Sequence, residues 1–102
     1  MSGTKHDTGK SRLSLIPREA LFGMGDALGY GERKYGTDNY KKGIAYSRLA
    51  DAAMRHLAQF MSNEDIDSES GNNHLYHALA SLSMLVYMYH NKPQMDDRFK
   101  ED

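Results

Sequence analysis

Apolar side chains recur at helical spacing in three stretches of the chain. The clearest stretch is residues 46–61, where apolar positions return every three or four residues and charged residues occupy the other side. A proline in the first turn marks the start of an earlier helix, predicted over residues 17–35. An asparagine able to cap the first turn opens the last helix, predicted over residues 73–91. The pattern predicts an all-α domain of three to four helices.

The first predicted helix contains four glycines, Gly23, Gly25, Gly29 and Gly31. Each costs a helix about 0.5–1 kcal/mol relative to alanine, because glycine loses more backbone freedom on folding. We therefore expect another helix or a ligand to come close to the backbone at these positions. Tyr35 is expected to extend the apolar face of the same helix.

The last predicted helix is apolar over more than half of its circumference, which is wider than two partner helices from one short chain can cover. The positions expected to face inward are Leu75, Ala78, Leu79, Leu82, Leu85, Val86 and Tyr89. An adjacent stripe consists of His74, His77, Ser81 and Met84. We expect a homo-oligomer, a dimer or larger, to cover the remaining apolar surface.

Length and charge narrow the classes of function. The 102 residues are expected to form one domain with flexible tails at about residues 1–11 and 93–102. The 13 Lys and Arg against 14 Asp and Glu give a net charge of −1, which offers no global attraction to long nucleic acids or anionic membranes. The chain has no cysteine and no apolar run of membrane-spanning length. These features favour a soluble protein of the cytoplasm.

Histidines and acidic residues concentrate around the loop between the last two predicted helices. His74 and His77 are three residues apart on one side of the last helix, and His56 lies in the apolar stripe of the preceding helix. With Asp67 they form a candidate ligand set for a divalent metal, which suits zinc, manganese, cobalt or ferrous iron better than magnesium. Asp67 and Glu69 are the candidate catalytic carboxylates. Alternatively, the histidines are partly buried hydrogen-bonding residues and the acids a solvated loop at a helix N-terminus.

Basic residues and tyrosines form a second candidate set. Such residues are typical of nucleotide sites, because arginine or lysine binds the phosphates and an aromatic ring stacks on the base. The candidate ligand-binding residues are Lys10, Arg12, Lys34, Tyr35, Asn39, Tyr46, Arg48 and Arg55. Alternatively, the basic side chains cover helix surfaces and the tyrosines fill the edge of the core. A Walker loop, a Rossmann glycine fingerprint, a GxSxG elbow and an HExxH pair are absent from the sequence.

Five sequence motifs resemble those of a known family. They are GKSRLSLIPREAL at residues 9–21, GERKYG at 31–36, DNYKKG at 38–43, YSRLADAAMRHL at 46–57 and EDIDSESGNNHLYHALASL at 64–82. Together they resemble the phage-encoded family of dATP/dGTP diphosphohydrolase N-terminal domains, which is associated with MazG-like nucleotide pyrophosphohydrolases. The resemblance implies an all-helical, nucleotide-handling protein that acts in the cytoplasm of the host cell.

The resemblance leaves two functions open. MazG-like enzymes carry helical EExxE and ExxD sets that hold magnesium, whereas here Glu19 and Glu32 are isolated and HLYH stands where a carboxylate pair is more usual. The first function is a pyrophosphohydrolase, in which a metal held by the three histidines and Asp67 activates water to attack a purine deoxynucleoside triphosphate between its α and β phosphorus atoms. The second is a non-catalytic binder that sequesters a nucleotide or a cyclic-nucleotide signal and so blunts host defence.

Overall fold

The computed structural model describes residues 3–101. Its three α-helices are α1 at Arg18–Tyr35, α2 at Tyr46–Met61 and α3 at His74–Asn91. Short 3₁₀ turns lie at Leu13–Leu15, Asn39–Lys42 and Pro93–Met95. Within this described part there is no strand, and an isolated β-bridge joins Ile66 to Asn73. The predicted all-α fold class is confirmed.

The helix ends follow from local chemistry. α2 has the predicted bounds, residues 46–61. α3 begins at His74, one residue later than predicted, because Asn73 caps the helix and its Oδ1 accepts a hydrogen bond from Leu75 N at 2.8 Å. α1 also begins one residue later, since Pro17 precedes its first turn. Each predicted helix is therefore present with nearly the expected length.

The first turn of α2 is capped by a residue far along the chain. Its neighbour Ala45 supplies no side-chain cap. Asp97 instead accepts hydrogen bonds from Ser47 N at 2.9 Å and from Ser47 Oγ, across fifty positions of sequence. These hydrogen bonds, the side-chain one first, lower the pKa of Asp97. The segment predicted as a C-terminal tail thus makes defined contacts with α2.

α3 is the central helix and packs against both α1 and α2. α1 approaches it closely at Gly23, where an added Cβ atom would lie 2.3 Å from a ring carbon of Tyr76. The predicted close approach is confirmed at this glycine. At Gly25 and Gly31 no other helix comes close, because no protein atom lies within 4 Å of an added Cβ atom there, and the approach of a ligand stays a prediction.

The hydrophobic core lies between α2 and α3. Tyr46, Leu49 and Met88 are its buried members, and Met88 is fully enclosed. Half-buried apolar side chains pack around them, namely Tyr40, Ile44, Met84, Leu85, Tyr87 and Met95. This core is small for a chain of this length, so much apolar surface remains outside it.

Several apolar residues predicted to face inward are exposed. Leu82, Val86 and Tyr89 keep 48%, 58% and 63% of their surface exposed, and Tyr35 of α1 keeps 62%. The α3 residues are exposed because α1 and α2 pack on other sides of α3 and leave the side that carries Leu82, Val86 and Tyr89 uncovered. The radius of gyration is 16.7 Å, against about 13 Å for a compact domain of this length. The chain is therefore extended, and the expected oligomer stays a prediction. None of the helices within residues 3–101 is long and apolar enough to span a membrane.

Candidate functional site

Three histidines from α2 and α3 meet in one cluster. His56 Nδ1 lies 2.9 Å from His74 Nδ1, and the His56 ring stacks on the His77 ring with centroids 4.8 Å apart. Helix geometry explains the meeting. His74 and His77 leave the same side of the first turn of α3, and His56 faces them from the C-terminal half of α2. The structure thus brings together the three histidines that sequence spacing predicts to be neighbours.

His74 is fully buried, and both of its ring nitrogens have partners. Nε2 lies 2.7 Å from a carboxylate oxygen of Glu64, which can only accept a hydrogen bond, so this nitrogen carries the proton. Its Nδ1 shares the second hydrogen bond with Nδ1 of His56, in which one ring nitrogen donates and the other accepts. His74 therefore acts as a structural junction between α2, α3 and the loop that connects them.

A chain of hydrogen bonds links Asp67 to His77 through Ser70. Asp67 Oδ2 accepts from Ser70 N at 3.0 Å and from Ser70 Oγ at 2.7 Å. Because the hydroxyl proton is used on Asp67, Ser70 Oγ accepts from His77 Nε2–H at 2.6 Å. His77 Nδ1 keeps its lone pair. This nitrogen has no hydrogen-bond partner among residues 3–101 and is not fully enclosed, although only 13% of the His77 side chain is exposed.

The surroundings of the cluster favour neutral His56 and His77 rings. Burial lowers the pKa of His56, and the adjacent histidines lower it further. Burial also lowers the pKa of His77, with the Asp67 carboxylate opposing this shift. Burial alone would raise the pKa of the Asp67 carboxyl, but the hydrogen bonds from Ser70 outweigh it and the net pKa is lowered. At neutral pH two neutral rings therefore lie beside an ionised carboxylate.

The C-terminal end of α1 reaches the same loop through an ion pair. Lys34 Nζ lies 2.5 Å from Glu69 Oε1, and this hydrogen bond raises the pKa of Lys34 and lowers the pKa of Glu69. The ammonium group also lies 5.2 Å from the ring centroid of Tyr35. One turn earlier on α1, Tyr30 meets the His77 ring edge to face at 5.9 Å. The end of α1, the acidic loop and the histidines thus form one site.

The four predicted metal ligands, His56, Asp67, His74 and His77, do not converge on one point. Residues 3–101 contain no group of three or more such donors placed to hold a metal ion. The His56 and His77 rings are stacked and inclined by only 18°, so their lone pairs lie in two nearly parallel planes. The facing nitrogens of His56 and His74 bond to each other. In this arrangement the four residues do not fit a metal, and metal binding stays a prediction.

Three of the predicted ligand-binding residues lie around the histidine cluster. Lys34 and Tyr35 are at the end of α1, beside the loop. Arg55 precedes His56 on α2 and lines a shallow pocket together with Glu64. Cations from two helices therefore flank the acidic loop.

The other predicted ligand-binding residues lie elsewhere. Tyr46 is ten residues before His56, about 15 Å along the axis of α2, and Arg48 is on the same turn as Tyr46. Tyr46 is only 6% exposed and belongs to the core. The remaining members, which precede α2 in the chain, are Asn39 in a 3₁₀ turn and Lys10 and Arg12 in the exposed segment before α1. A ligand-binding role for this second group stays a prediction.

Three residues of the site received no role from the sequence: Tyr30, Glu64 and Ser70. Ser70 follows Asp67 by three positions, a spacing typical of turns held by an aspartate side chain, and this signal could have found it. Glu64 and Tyr30 gave no local signal, because their partners in the site come from α3.

Comparison with known proteins places the chain in a family. The family described as "dATP/dGTP diphosphohydrolase, N-terminal" matches residues 1–98. A relative named "dATP/dGTP diphosphohydrolase", from Salmonella phage PMBT28, is 38% identical over 98 residues, which are 96% of this chain and 33% of the relative. The chain thus spans about a third of that relative's length. No solved structure matches. As its motifs predict, the chain belongs to the dATP/dGTP diphosphohydrolase N-terminal family.

Proposed function

We propose that this domain binds purine deoxynucleoside triphosphates and takes part in their metal-dependent hydrolysis to the monophosphate and pyrophosphate. The observation that supports it best is the Asp67–Ser70–His77 chain of hydrogen bonds, which leaves one histidine nitrogen with its lone pair unshared beside the end of α1. The name of the phage relative supports the substrate and the reaction class.

His77 is the proposed general base. Asp67 orients Ser70, Ser70 holds the Nε2–H of His77, and Nδ1 is left as the acceptor. The lowered pKa of His77 keeps this nitrogen unprotonated at neutral pH. In the reaction, water attacks the α-phosphorus and gives a proton to His77 Nδ1. The bond between the α-phosphorus and the bridging oxygen breaks, and pyrophosphate leaves.

Lys34 and Arg55 are the proposed phosphate-binding cations. Lys34 lies beside the loop that carries Asp67 and Glu69, and Arg55 comes from the turn of α2 that carries His56. Developing negative charge on the phosphates is stabilised most by cations already in place. Because Lys34 is on α1 and Arg55 is on α2, a triphosphate bound by both would lie across the acidic loop.

The proposed metal would be held by one protein carboxylate and by the substrate, because the four predicted ligands do not fit a metal together. Magnesium and manganese are commonly held by one or two carboxylates together with the phosphates of the substrate. Asp67 uses one oxygen on Ser70 and is the residue best placed to contribute the other.

The direct test is to incubate the purified chain with dATP or dGTP, with manganese, magnesium or a chelator. We expect monophosphate and pyrophosphate in equal amounts with metal and neither with the chelator. The pyrimidine nucleotides dCTP and dTTP serve as matched controls and should react more slowly. Release of inorganic phosphate without pyrophosphate would contradict attack at the α-phosphorus.

A second candidate function is binding without catalysis. It is favoured by the fact that both candidate catalytic carboxylates are engaged, Asp67 with Ser70 and Glu69 with Lys34. A domain of this kind would sequester a nucleotide or a cyclic nucleotide. Calorimetric titration with dGTP and with cyclic dinucleotides separates the two candidates, because the binder takes up ligand and leaves it chemically unchanged over hours.

A further inference from the structure

A second chain of hydrogen bonds enters the site from the acidic loop, beside the one that ends at His77. It begins at Glu64, whose carboxylate accepts from His74 Nε2–H at 2.7 Å. It continues from His74 Nδ1 to His56 Nδ1 at 2.9 Å. The His56 ring in turn is stacked on the His77 ring, with centroids 4.8 Å apart. Both chains of hydrogen bonds therefore end at one pair of stacked imidazoles.

The hydrogen bond between His77 and Ser70 does not fix the plane of the imidazole ring by itself. The torsion that turns a histidine ring about its Cβ–Cγ bond is broad. Nε2, which bonds to Ser70 Oγ, lies nearer to that axis than Nδ1 does, so a turn of the ring moves the bonded atom less than the unbonded one. Nδ1 is the atom proposed to take the proton from water. Its direction therefore needs a second restraint.

Stacking supplies that restraint. The His56 and His77 rings are inclined by only 18°, so one face of His77 lies against a nearly parallel ring from α2. From α1, Tyr30 packs at 83° to the same ring, with centroids 5.9 Å apart. Stacked and perpendicular arrangements at these separations are the favoured contacts of aromatic pairs. Turning His77 about its Cβ–Cγ bond would break the parallel contact with His56.

His56 can serve as a fixed surface because its own ring is held. Its bond to His74 is made at Nδ1, the ring nitrogen farther from the Cβ–Cγ axis, so this bond restrains rotation of the ring. His74 is fully buried, and its other nitrogen is bonded to Glu64. The plane of the His56 ring is thus defined by the loop and by the first turn of α3, although His56 belongs to α2.

Space filling alone does not explain a histidine at this position. The neighbours of His56 on the same side of α2 are Ala53 and Phe60, and an apolar side chain would fill the same volume. Imidazole combines a flat face with a nitrogen that bonds in the plane of the ring. His56 can therefore lie on His77 and be held by His74 at the same time.

We propose that His56 is a positioning residue, which fixes the plane of the His77 ring and so directs its Nδ1 at the attacking water. Glu64 and His74 act through His56 by holding its ring. This role rests on the proposed hydrolysis, in which His77 is the base. Glu64 keeps 58% of its side chain exposed and bonds to His74, so a carboxylate at the surface of the loop should influence the rate of hydrolysis.

The first test observes the His77 ring by NMR without nucleotide. In the isotope-labelled parent chain, His77 should show one protonated and one unprotonated ring nitrogen, as expected for a single tautomer. His56→Ala should move the two nitrogen shifts towards each other, because a ring that can turn loses its bond to Ser70 part of the time. His90→Ala, on the exposed end of α3, is the matched control and should leave both shifts unchanged. Identical His77 shifts in the parent and in His56→Ala would overturn the proposal.

The second test measures pyrophosphate release from dGTP. His56→Ala should lower kcat by about ten- to a hundredfold with little change in KM, because displacing a catalytic group by about 1 Å can cost a hundredfold in rate. His56→Phe keeps a flat ring over His77 and should recover part of that loss. A proton-transfer role of His56 would allow no such recovery. A kcat for His56→Phe no higher than that for His56→Ala would count against the stacking role.

Glu64 offers a measurement that leaves the three histidines in place. Glu64→Ala removes the anchor of His74 and should lower kcat severalfold, whereas Glu64→Gln keeps an oxygen that accepts from His74 Nε2–H and should stay close to the parent. Asp65→Ala is the matched control, because the contact of Asp65 with α3 is made by its backbone carbonyl. An unchanged kcat in Glu64→Ala would contradict the proposal. If the parent chain releases no pyrophosphate, the proposed hydrolysis fails, and the NMR comparison still decides whether His56 holds His77.

Discussion

The Nδ1 atoms of His56 and His74 lie 2.9 Å apart and fasten the C-terminal half of α2 to the first turn of α3. The other nitrogen of His74 holds Glu64 at 2.7 Å. His77, one turn away on the same helix, uses one nitrogen on Ser70 and leaves the other without a hydrogen bond among residues 3–101. Two histidines that look alike in the sequence should therefore respond differently to substitution.

Replacing His74 should act on stability. His74→Ala removes a fully buried ring and leaves His56 and Glu64 without their partner, so we expect the free energy of unfolding to fall by about 2–3 kcal/mol. Urea denaturation followed by circular dichroism measures it. His90→Ala, on the exposed end of the same helix, is the control and should change stability by less than about 0.5 kcal/mol. Equal losses for both variants would contradict the junction role.

Replacing His77 should act on turnover. Loss of a general base typically slows a reaction by about 10²–10⁴-fold, and we expect His77→Ala to reduce pyrophosphate release from dGTP within this range. Ser70→Ala retains the imidazole but no longer orients it, so a smaller reduction is expected. Rates are measured with nucleotide in excess, and dGTP binding is measured separately. If His77→Ala hydrolysed dGTP as fast as the parent, the assignment of the base would be wrong.

Helix spacing predicts the meeting of the histidines, because residues three and four apart share a helix face. It does not predict what the nitrogens bond to. Glu64 reaches His74 across a loop, and the partners of Asp67 depend on the turn geometry around Ser70. In the same way, residue type alone places the basic residues and tyrosines in one candidate nucleotide-binding set. The positions of Tyr46 in the core and of Lys34 at the loop depend on tertiary packing, which the local pattern does not encode.

Glu69 should compete with a nucleotide for Lys34. The two side chains are hydrogen bonded at 2.5 Å, so the Glu69 carboxylate and a triphosphate would compete for the positive charge of the same ammonium group. We expect Glu69→Gln to bind dGTP severalfold more tightly, because the amide cannot pair ionically with Lys34. The control is Asp38→Asn, which breaks the corresponding Lys41 pair away from the site and should leave affinity unchanged.

The same variant also tests the predicted catalytic role of Glu69. If this carboxylate takes part in the chemistry, Glu69→Gln should bind dGTP and fail to release pyrophosphate. Tighter binding with normal turnover would instead show that Glu69 only restrains Lys34. Weaker binding would contradict the competition described here.

Stability should decrease as the pH falls below neutral. The pKa values of His56 and His77 are lowered from the ordinary value of 6.5, so between the folded and unfolded pKa values the unfolded chain binds more protons. The stability that these two histidines contribute is complete above about pH 6.5 and is lost as the pH falls through their pKa values in the folded chain. The urea midpoint should be lower at pH 5 than at pH 7.5. A double variant, His56→Gln with His77→Gln, should show a flatter dependence over this range.

Two glycines of α1 should respond oppositely to alanine. Gly23→Ala places a Cβ atom 2.3 Å from the Tyr76 ring and should destabilise the fold by about 1–3 kcal/mol. Gly25→Ala meets nothing within 4 Å and should stabilise the helix by up to about 1 kcal/mol. Thermal unfolding of both variants measures the difference. A neutral Gly23→Ala would mean that α1 can move away from α3 at little cost.

The fold itself can largely be predicted from the sequence, because three amphipathic patterns, one of them opened by an asparagine cap, place the helices to within one residue. The patterns do not determine which apolar stripe of α3 is used within the chain. Leu82 and Met88 are equally apolar in sequence, yet only Met88 is enclosed, since the choice depends on where α2 docks. Gly25 shows the same limit, because a glycine signals freedom of the backbone and not the presence of a neighbour.

The contact between Ser47 and Asp97 also sets the order in which the chain can finish folding during synthesis. α2 and α3 can pair as soon as both have left the ribosome, but the first turn of α2 then lacks its cap. The amide of Ser47 must wait for a residue made fifty positions later. Until that residue emerges, the turn that carries Tyr46 into the core frays more readily than the rest of the helix. The first turn of α2 is therefore fully capped only after Asp97 has left the ribosome.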